Sequence, residues 1–334
     1  MQSNSTPPNP LRRREVLRRT VLGGTAAAVG LAAAPVVSGA APAAAARPRG
    51  TADVTFRWLG VAGWQVVHDG HVLYFDPYLS RFDYQSNPAL DIDPTIVDRL
   101  LAAGTLAGPP ELIMVSHGHW DHLADVPQLL ARPDWAGATI RTIGTDTVRN
   151  LLAGMGVSDA RRKNFIVATG GEELDFGAYQ VRVVRSLHSQ SKGFGFAMPG
   201  VRVAPPPTPQ TISDLVEGGT LAYQVTFGGR LRVLFSGGTN FVERELEGLR
   251  PDVVMVSMTD YSSLPDYLER LLTVLGGPRY VVPVHHDDMV TKFDNPNLPG
   301  TVDATAATRL RDAIRALRMP TKVIEARHLE AFTL

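Results

Sequence analysis

The chain has 334 residues, 44% of them hydrophobic and 20% charged, with 31 Gly, 25 Pro and no Cys. That is enough apolar material for a substantial core, so disorder and collagen-like structure are excluded; the lack of cysteine excludes disulfides, thiolate metal sites, cysteine nucleophiles and a lipidated N-terminal cysteine. Basic and acidic side chains balance at 33 each, which leaves no bulk signature of nucleic-acid binding.

The balance hides an asymmetry. Residues 1–46 carry five arginines, Arg12, Arg13, Arg14, Arg18 and Arg19, against the single acid Glu15, and the remainder has 28 basic and 32 acidic residues. The body is therefore mildly acidic, which argues against anionic polymers as partners. After a polar start, Arg13-Arg14-Glu15-Val16-Leu17-Arg18 precedes a weakly apolar stretch over 21–37, and small residues end in Ala43-Ala44-Ala45-Ala46-Arg47. Charged, apolar and small-residue regions in that order predict an export signal over 1–46, removed from the mature protein. The arginine pair with hydrophobic residues behind it resembles a twin-arginine signal, and Arg18-Arg19-Thr20-Val21-Leu22 offers a second such pair. The resemblance implies export to an extracellular, periplasmic or cell-wall space. The apolar stretch is short and rich in alanine, below what a spanning helix needs, so no stable membrane anchor is expected after cleavage.

From residue 51 the pattern changes to short β-type runs, and one domain is expected over 51–334. Residues 54–58 read as a strand, and runs at 65–68 and 71–75 flank Asp69-Gly70, a strong hairpin signal. A short apolar strand at 112–115 leads into a histidine-rich loop and a helical stretch at 122–130. Further strands are predicted at 139–143, 165–168, 179–185, 221–227, 231–235, 253–257 and 280–284, with helices at 145–155, 242–249, 264–274 and 304–317. Hairpin groups alternating with helices predict an α/β fold in which two sheets are sandwiched between helices. The segment 189–219 holds Phe194, Phe196 and Met198 among glycines and prolines. It reads either as a pocket-covering loop or as a surface excursion.

The most informative stretch is Ser116-His117-Gly118-His119-Trp120-Asp121-His122. Three histidines and an aspartate within six residues, at the end of an apolar strand, are the donor types that zinc takes in compact sets. His117 and His119 can face one point from an extended loop, while Asp121 and His122, where the chain turns helical, can reach a second. Gly118 lets the backbone fold tightly between them.

His-x-His-x-Asp-His after an apolar strand resembles the signature of the metallo-β-lactamase superfamily, and the likeness spreads over most of 54–290. The opening Phe56-Arg57-Trp58-Leu59-Gly60-Val61-Ala62-Gly63-Trp64, the hairpin, and Phe75-Asp76-Pro77-Tyr78 resemble a branch that includes ascorbate-6-phosphate lactonase-like and N-acylphosphatidylethanolamine phospholipase D-like hydrolases. The resemblance implies a four-layer αββα sandwich. It implies that Asp76 buttresses the metal loop, that His188 is the third histidine of a first metal, and that His285 is the last ligand of a second. His286 competes with His285, since neighbouring strand residues point to opposite faces. The expected metal residues are thus His117, His119, Asp121, His122, His188 and His285, with Asp121 and Asp76 as the catalytic candidates and one or two Zn2+ as the cofactor.

One position departs from the pattern. Relatives read Gly-Asp-Thr where this chain reads Ser236-Gly237-Gly238-Thr239-Asn240, so Gly238 stands where a bridging carboxylate belongs. Each set keeps three protein ligands, as an open catalytic zinc site does, and the inventory resembles one zinc β-lactamase subclass bridged by hydroxide alone. The function implied is an exported zinc hydrolase using a metal-bound hydroxide on an ester, lactone, amide or phosphodiester bond. Two alternatives stay open: a degenerate metal-binding member without turnover, and a zinc β-lactamase. The substrate is expected to be a small molecule, acyl or lipid-like given the apolar residues of 189–219, and not a nucleic acid. Tyr261, Asn240 and Asp260 are guesses for a general acid. Asp260, Asp287 and Asp288 read as solvated or capping, with Asp260 or Asp287 able to take over the bridge. His68 and His71 read as an exposed cross-strand pair, and His328 falls in a strand-like C-terminal run.

Overall fold

A computed structural model describes residues 53–191 and 193–334; the export-signal reading of 1–46 lies outside them. The described chain forms two seven-stranded mixed sheets. The first is built from β1 (Val54–Trp58), β2 (Trp64–His68), β3 (His71–Phe75), β4 (Leu112–Met114), β5 (Arg141–Gly144) and β6 (Phe165–Val167). The second is built from β7 (Glu173–Asp175), β8 (Tyr179–Arg185), β9 (Leu221–Phe227), β10 (Leu231–Ser236), β11 (Val253–Ser257), β12 (Tyr280–Val284) and β13 (Lys322–Val323), and β14 (Ala331–Thr333) returns to the outer edge of the first sheet beside β1. Each sheet starts with antiparallel hairpins and continues as parallel strands: β3 to β6 in one, β10 to β13 in the other.

Because successive side chains on a strand face opposite ways, the apolar runs divide between layers. Leu73, Phe75, Val253 and Met255 point into the core between the sheets, with Trp64, Phe227 and Phe235. Tyr74 and Ile113 face outward under Leu129 and Leu151, and Val254 and Val281 face outward under Leu268, Leu272 and Leu310. The helices covering the two outer faces include Asp146–Gly154, Tyr267–Val274 and Thr305–Ala316. Sheets covered on both faces need near-continuous apolar strands, which is why β4, β11 and β12 carry almost no polar residue. This is the four-layer sandwich expected from the sequence.

Two predicted features differ. His68 is buried and packs edge-on against Phe227, while His71 takes a 2.6 Å contact from Nδ1 to Glu111 Oε2; they pair across the hairpin but not as an exposed couple, because the inner face of β2 is covered by the second sheet. The helix expected at 242–249 shrinks to Glu243–Leu246, and the helix Ile96–Ala102, unmarked by any strong signal, is added. Among the described residues no helix is long and apolar enough to cross a membrane.

Candidate metal centre

The loop that follows β4 lies where the ends of β3, β4 and β5 meet the second sheet. Its tightness depends on Gly118: a Cβ there would sit 2.3 Å from the Val216 carbonyl oxygen, and the Gly118 N–H donates to Glu217 at 2.9 Å. The chain then enters the short helix Trp120–Leu123. This places His117 and His119 on one side of the loop and Asp121 and His122 on the other.

Two sets of three donors converge, His117/His119/His188 and Asp121/His122/His285, the ligand atoms of each lying within 4.8 Å of one another. In the first, His117 Nε2 and His188 Nε2 stand 3.1 and 3.0 Å from His119 Nδ1. In the second, His122 Nε2 and His285 Nε2 each stand 3.3 Å from Asp121 Oδ2. Zinc–nitrogen bonds of about 2.05 Å in a tetrahedron put donors about 3.3 Å apart, so both sets have the spacing that a shared divalent ion requires. Neutral ring nitrogens this close repel unless something positive lies between them, and the donor chemistry therefore fits the metal that the fold family implies.

Four of the five outer ring nitrogens also have partners, as ligating histidines require. His122 Nδ1 lies 2.7 Å from Asp76 Oδ2. His117 Nδ1 donates to Ser116 Oγ at 2.9 Å, and that hydroxyl donates to Asp76 Oδ2 at 2.6 Å. His188 Nδ1 reaches the Ser189 carbonyl at 2.8 Å, and His119 Nε2 the Met198 carbonyl at 3.3 Å. These partners orient the rings: His119 presents Nδ1 inward, and His117, His122 and His188 present Nε2. Asp76 is wholly buried and touches neither set's centre directly; it orients His122 and, through Ser116, His117. It is therefore a positioning residue and not a catalytic one.

Burial and the neighbouring imidazoles hold His117 well below the usual histidine pKa. Burial does the same for His119, which falls to about 4, and lowers His188. The first set is thus neutral, with lone pairs free for a cation. In the second set burial opposes charge on both partners, yet their mutual attraction prevails: His122 and His285 keep Asp121 ionised well below the usual carboxylate range. Asp121 and Asp76 raise His122 to about 10.

His286 turns away, stacking on Trp58 with ring centroids 5.1 Å apart. Gly238 sits beside His188, a Cβ there falling 3.0 Å from the Leu187 carbonyl oxygen. No described carboxylate takes its place: Asp260 is exposed, and Asp287 is engaged elsewhere. The reading of Asp287 as solvated or capping is overturned, since its side chain is fully buried against Arg81 and His328. Burial alone would raise its pKa, but His328 and Arg81 hold it well below the usual range. Of the acid guesses, Asn240 lines the cleft described next, and Tyr261 packs under the outer helices.

Sequence reasoning missed Arg81, Asp125 and Ser116. Asp125 accepts from the backbone N–H groups of Leu79 and Ser80 at 2.6 and 2.8 Å; its place three residues after His122 was the available signal.

A cleft of about 850 Å³ opens beside the first set, and His188 is the member of that set on its wall. Leu187, Phe194, Phe196, Val201 and Val203 form an apolar side, with Phe194 89% and Val203 87% exposed. The Phe196 ring lies 5.2 Å from that of His188.

Fold and donor sets together define a metal-dependent enzyme scaffold of the metallo-β-lactamase type. The chain belongs to the β-lactamase superfamily, whose domain model matches residues 55–285. A UPF0173 metal-dependent hydrolase of Polynucleobacter asymbioticus is 23% identical over 309 residues, covering 91% of this chain and 96% of that one. A UPF0173 metal-dependent hydrolase of Halorubrum lacusprofundi is 29% identical over 144 residues, which span 42% of this chain and 46% of that protein. Among solved structures, the metallo hydrolase Igni18 of Ignicoccus hospitalis superposes with a TM-score of 0.52 at 16% identity, over 84% of this chain and 98% of the other.

Proposed function

We propose that the chain is an exported zinc-dependent hydrolase that cleaves an ester, lactone, amide or phosphodiester bond in a small, acyl or lipid-like substrate. The observation that carries this reading is the convergence of five imidazoles and one carboxylate into two three-donor sets, one of which opens through His188 onto a cleft with an apolar wall. Zinc held by such donors supplies Lewis acidity and brings the pKa of a bound water near neutrality.

The chain's own residues then have separable tasks. His117, His119 and His188 offer neutral nitrogens, and Asp121, kept ionised, is the acceptor that orients the nucleophile's proton. Asp76 and Ser116 hold the ligand rings in register. Phe194, Phe196, Val201 and Val203 exclude water from one side of the substrate and favour an apolar acyl body over a bare nucleotide. Among the described charged residues of the cleft, Arg185 and Arg202 are balanced by Asp146 and Glu217, which gives no preference for a strongly charged substrate.

The test is turnover by the purified chain of p-nitrophenyl acyl esters, lactones, bis(p-nitrophenyl) phosphate and nitrocefin. Acyl ester or lactone hydrolysis should vanish with a chelator and return with zinc. Absence of turnover across the panel, with metal bound, would establish the degenerate reading; nitrocefin alone would establish a β-lactamase. For export, replacing both Arg13-Arg14 and Arg18-Arg19 by Lys-Lys should leave unprocessed precursor in the cell, since a general secretory signal tolerates lysine. Normal export of that variant would reject the twin-arginine route.

Gly238 favours a second, narrower reading, in which the two sets fill unequally. Asp121 is the one anion among the six donors, and with glycine at 238 only a hydroxide could bridge two metals, a bridge that weakens as pH falls. The His117/His119/His188 set is therefore expected to fill first, with the other lost on mild dialysis or acidification. Two equally tight sites would overturn this ordering.

A further inference from the structure

Residues 76–81, Asp-Pro-Tyr-Leu-Ser-Arg, are buried along their whole length. They form a strap between the two loops that carry metal ligands. At one end Asp76 accepts from the Ser116 backbone N–H at 2.7 Å and holds His122. In the middle, Leu79 and Ser80 are fastened to Asp125, and the Ser80 hydroxyl donates to its Oδ1 at 2.5 Å. At the other end lies Arg81, whose side chain is fully buried. Its Nη1 is 2.8 Å from Asp287 Oδ2 and its Nη2 is 3.2 Å from Asp288 Oδ1, while its Nε donates to the Thr291 carbonyl.

Asp287 passes the restraint on. It accepts from the Val61 N–H at 3.1 Å and lies 2.8 Å from His328 Nε2. The Val61 carbonyl in turn accepts from the His285 N–H at 2.7 Å. A closed circuit therefore runs Arg81, Asp287, Val61, His285. Four residues on the strap and this circuit hold left-handed backbone: Val61 at φ +51°, Asp76 at +41°, Arg81 at +46° and His285 at +54°. For residues bearing a Cβ, and above all for β-branched valine, this is disfavoured and persists only where the surroundings impose it. Space is equally constrained. A Cβ on Gly60 would lie 2.3 Å from Arg81 Nη1, so only glycine lets the guanidinium reach its place.

We propose that Arg81 is a positioning residue for the Asp121/His122/His285 set: through Asp287 and Val61 its guanidinium fixes the left-handed turn that aims His285 at Asp121. A planar fork with donors at Nε, Nη1 and Nη2 meets three acceptors at once, which a lysine ammonium cannot do. The inference rests on the reading that this set binds a metal, and the experiment separates the two.

Co2+ is titrated into the full mature chain at pH 8, and the two dissociation constants are read from visible absorption. In the wild type two equivalents should bind; fewer than two would overturn the metal reading itself, and this proposal with it, before any variant is made. In Arg81→Lys the second constant should rise about 10–100-fold, the range seen for residues that orient ligands, with the first changed less than threefold. Asp287→Asn, nearly isosteric, should do the same at about tenfold and covers the case in which Arg81→Lys fails to fold. Unchanged constants would overturn the proposal. Equal weakening of both would overturn it too, because the circuit would then serve only to hold the fold together.

Discussion

The outer nitrogens of His117, His119 and His188 are held by a hydroxyl and two carbonyls, one of them Met198 in the long segment beside the cleft. Asp121, His122 and His285 are instead held by buried charge: Asp76 behind His122, and the Arg81–Asp287 circuit behind His285. Neutral hydrogen bonds contribute about 0.5–1.5 kcal/mol each, and those to charged groups about twice that. The set beside the cleft is therefore fastened mainly by the weaker kind of contact, and the inner set by the stronger.

The contrast is broken most completely at Asp76, the buried carboxylate that serves both sets. Asp76→Ala leaves Ser116 and His122 without their buried acceptor, which should cost about 3–5 kcal/mol of stability. It should also abolish tight binding at both sets. Urea unfolding and metal analysis check this; retention of either metal at wild-type affinity would show that Asp76 is not shared as described.

His188→Ala acts on one side only. It should weaken the first metal at least 10–100-fold and leave the second in place. Full occupancy of two metals in this variant, measured by elemental analysis after gel filtration, would mean that the third ligand is misplaced. His285→Ala should do the converse, and His286→Ala should deplete neither.

Gly238 and its neighbour sharpen the comparison. In Gly238→Asp the new Cβ needs the Leu187 carbonyl to yield a few tenths of an ångström from 3.0 Å, a small adjustment, and the added carboxylate should tighten the second metal about tenfold. At Gly237 the Cβ would fall 2.1 Å from Ser116 Oγ and 2.6 Å from Asp76 Oδ2, so Gly237→Asp should lose metal from both sets. Identical behaviour of the two variants in a zinc competition titration would refute the placement of this turn.

The smallest effect is expected in acid. Burial lowers His286 from 6.5 to about 4, so the folded chain keeps it neutral while the unfolded chain takes up its proton. Stability from this residue is complete above pH 6.5 and is lost as pH falls towards 4, on the order of 2 kcal/mol at roughly 1.4 kcal/mol per unit after discounting partial exposure. In the metal-free chain, His286→Phe keeps the stack on Trp58 and should reduce the drop in urea midpoint between pH 7 and 4.5; an unchanged drop would exclude it.

How much of this was legible beforehand follows sequence distance. His117, His119, Asp121 and His122 stand together in one loop, so their chemistry could be read from the residues alone. His188 stands alone and His285 has only His286 beside it, and only the family resemblance singled them out. Arg81 and Asp287 lie 206 positions apart, each unremarkable in its own neighbourhood, so no local pattern could join them. The inner strands are legible because both their faces are covered and the runs are apolar, whereas the short, exposed edge strands β7, β13 and β14 carry no such run and are not foreseen; His68 lies in an inner run, where a polar residue is still carried inside.

The edge pairing of β14 has a consequence for the chain's connectivity. Val54 and Leu334 exchange backbone hydrogen bonds of 3.1 and 3.0 Å, so the first strand and the last residue of the described body are already side by side. A few added residues would close the backbone into a ring, and new ends could be cut at the exposed Gly229 turn between β9 and β10, where a Cβ meets nothing within 4 Å. Such a permutant keeps every donor, strap and circuit contact while moving one donor in the order of synthesis: His285 would emerge before His117. It would separate the order of chain growth from the order of assembly in a centre whose six donors come from three distant stretches of sequence.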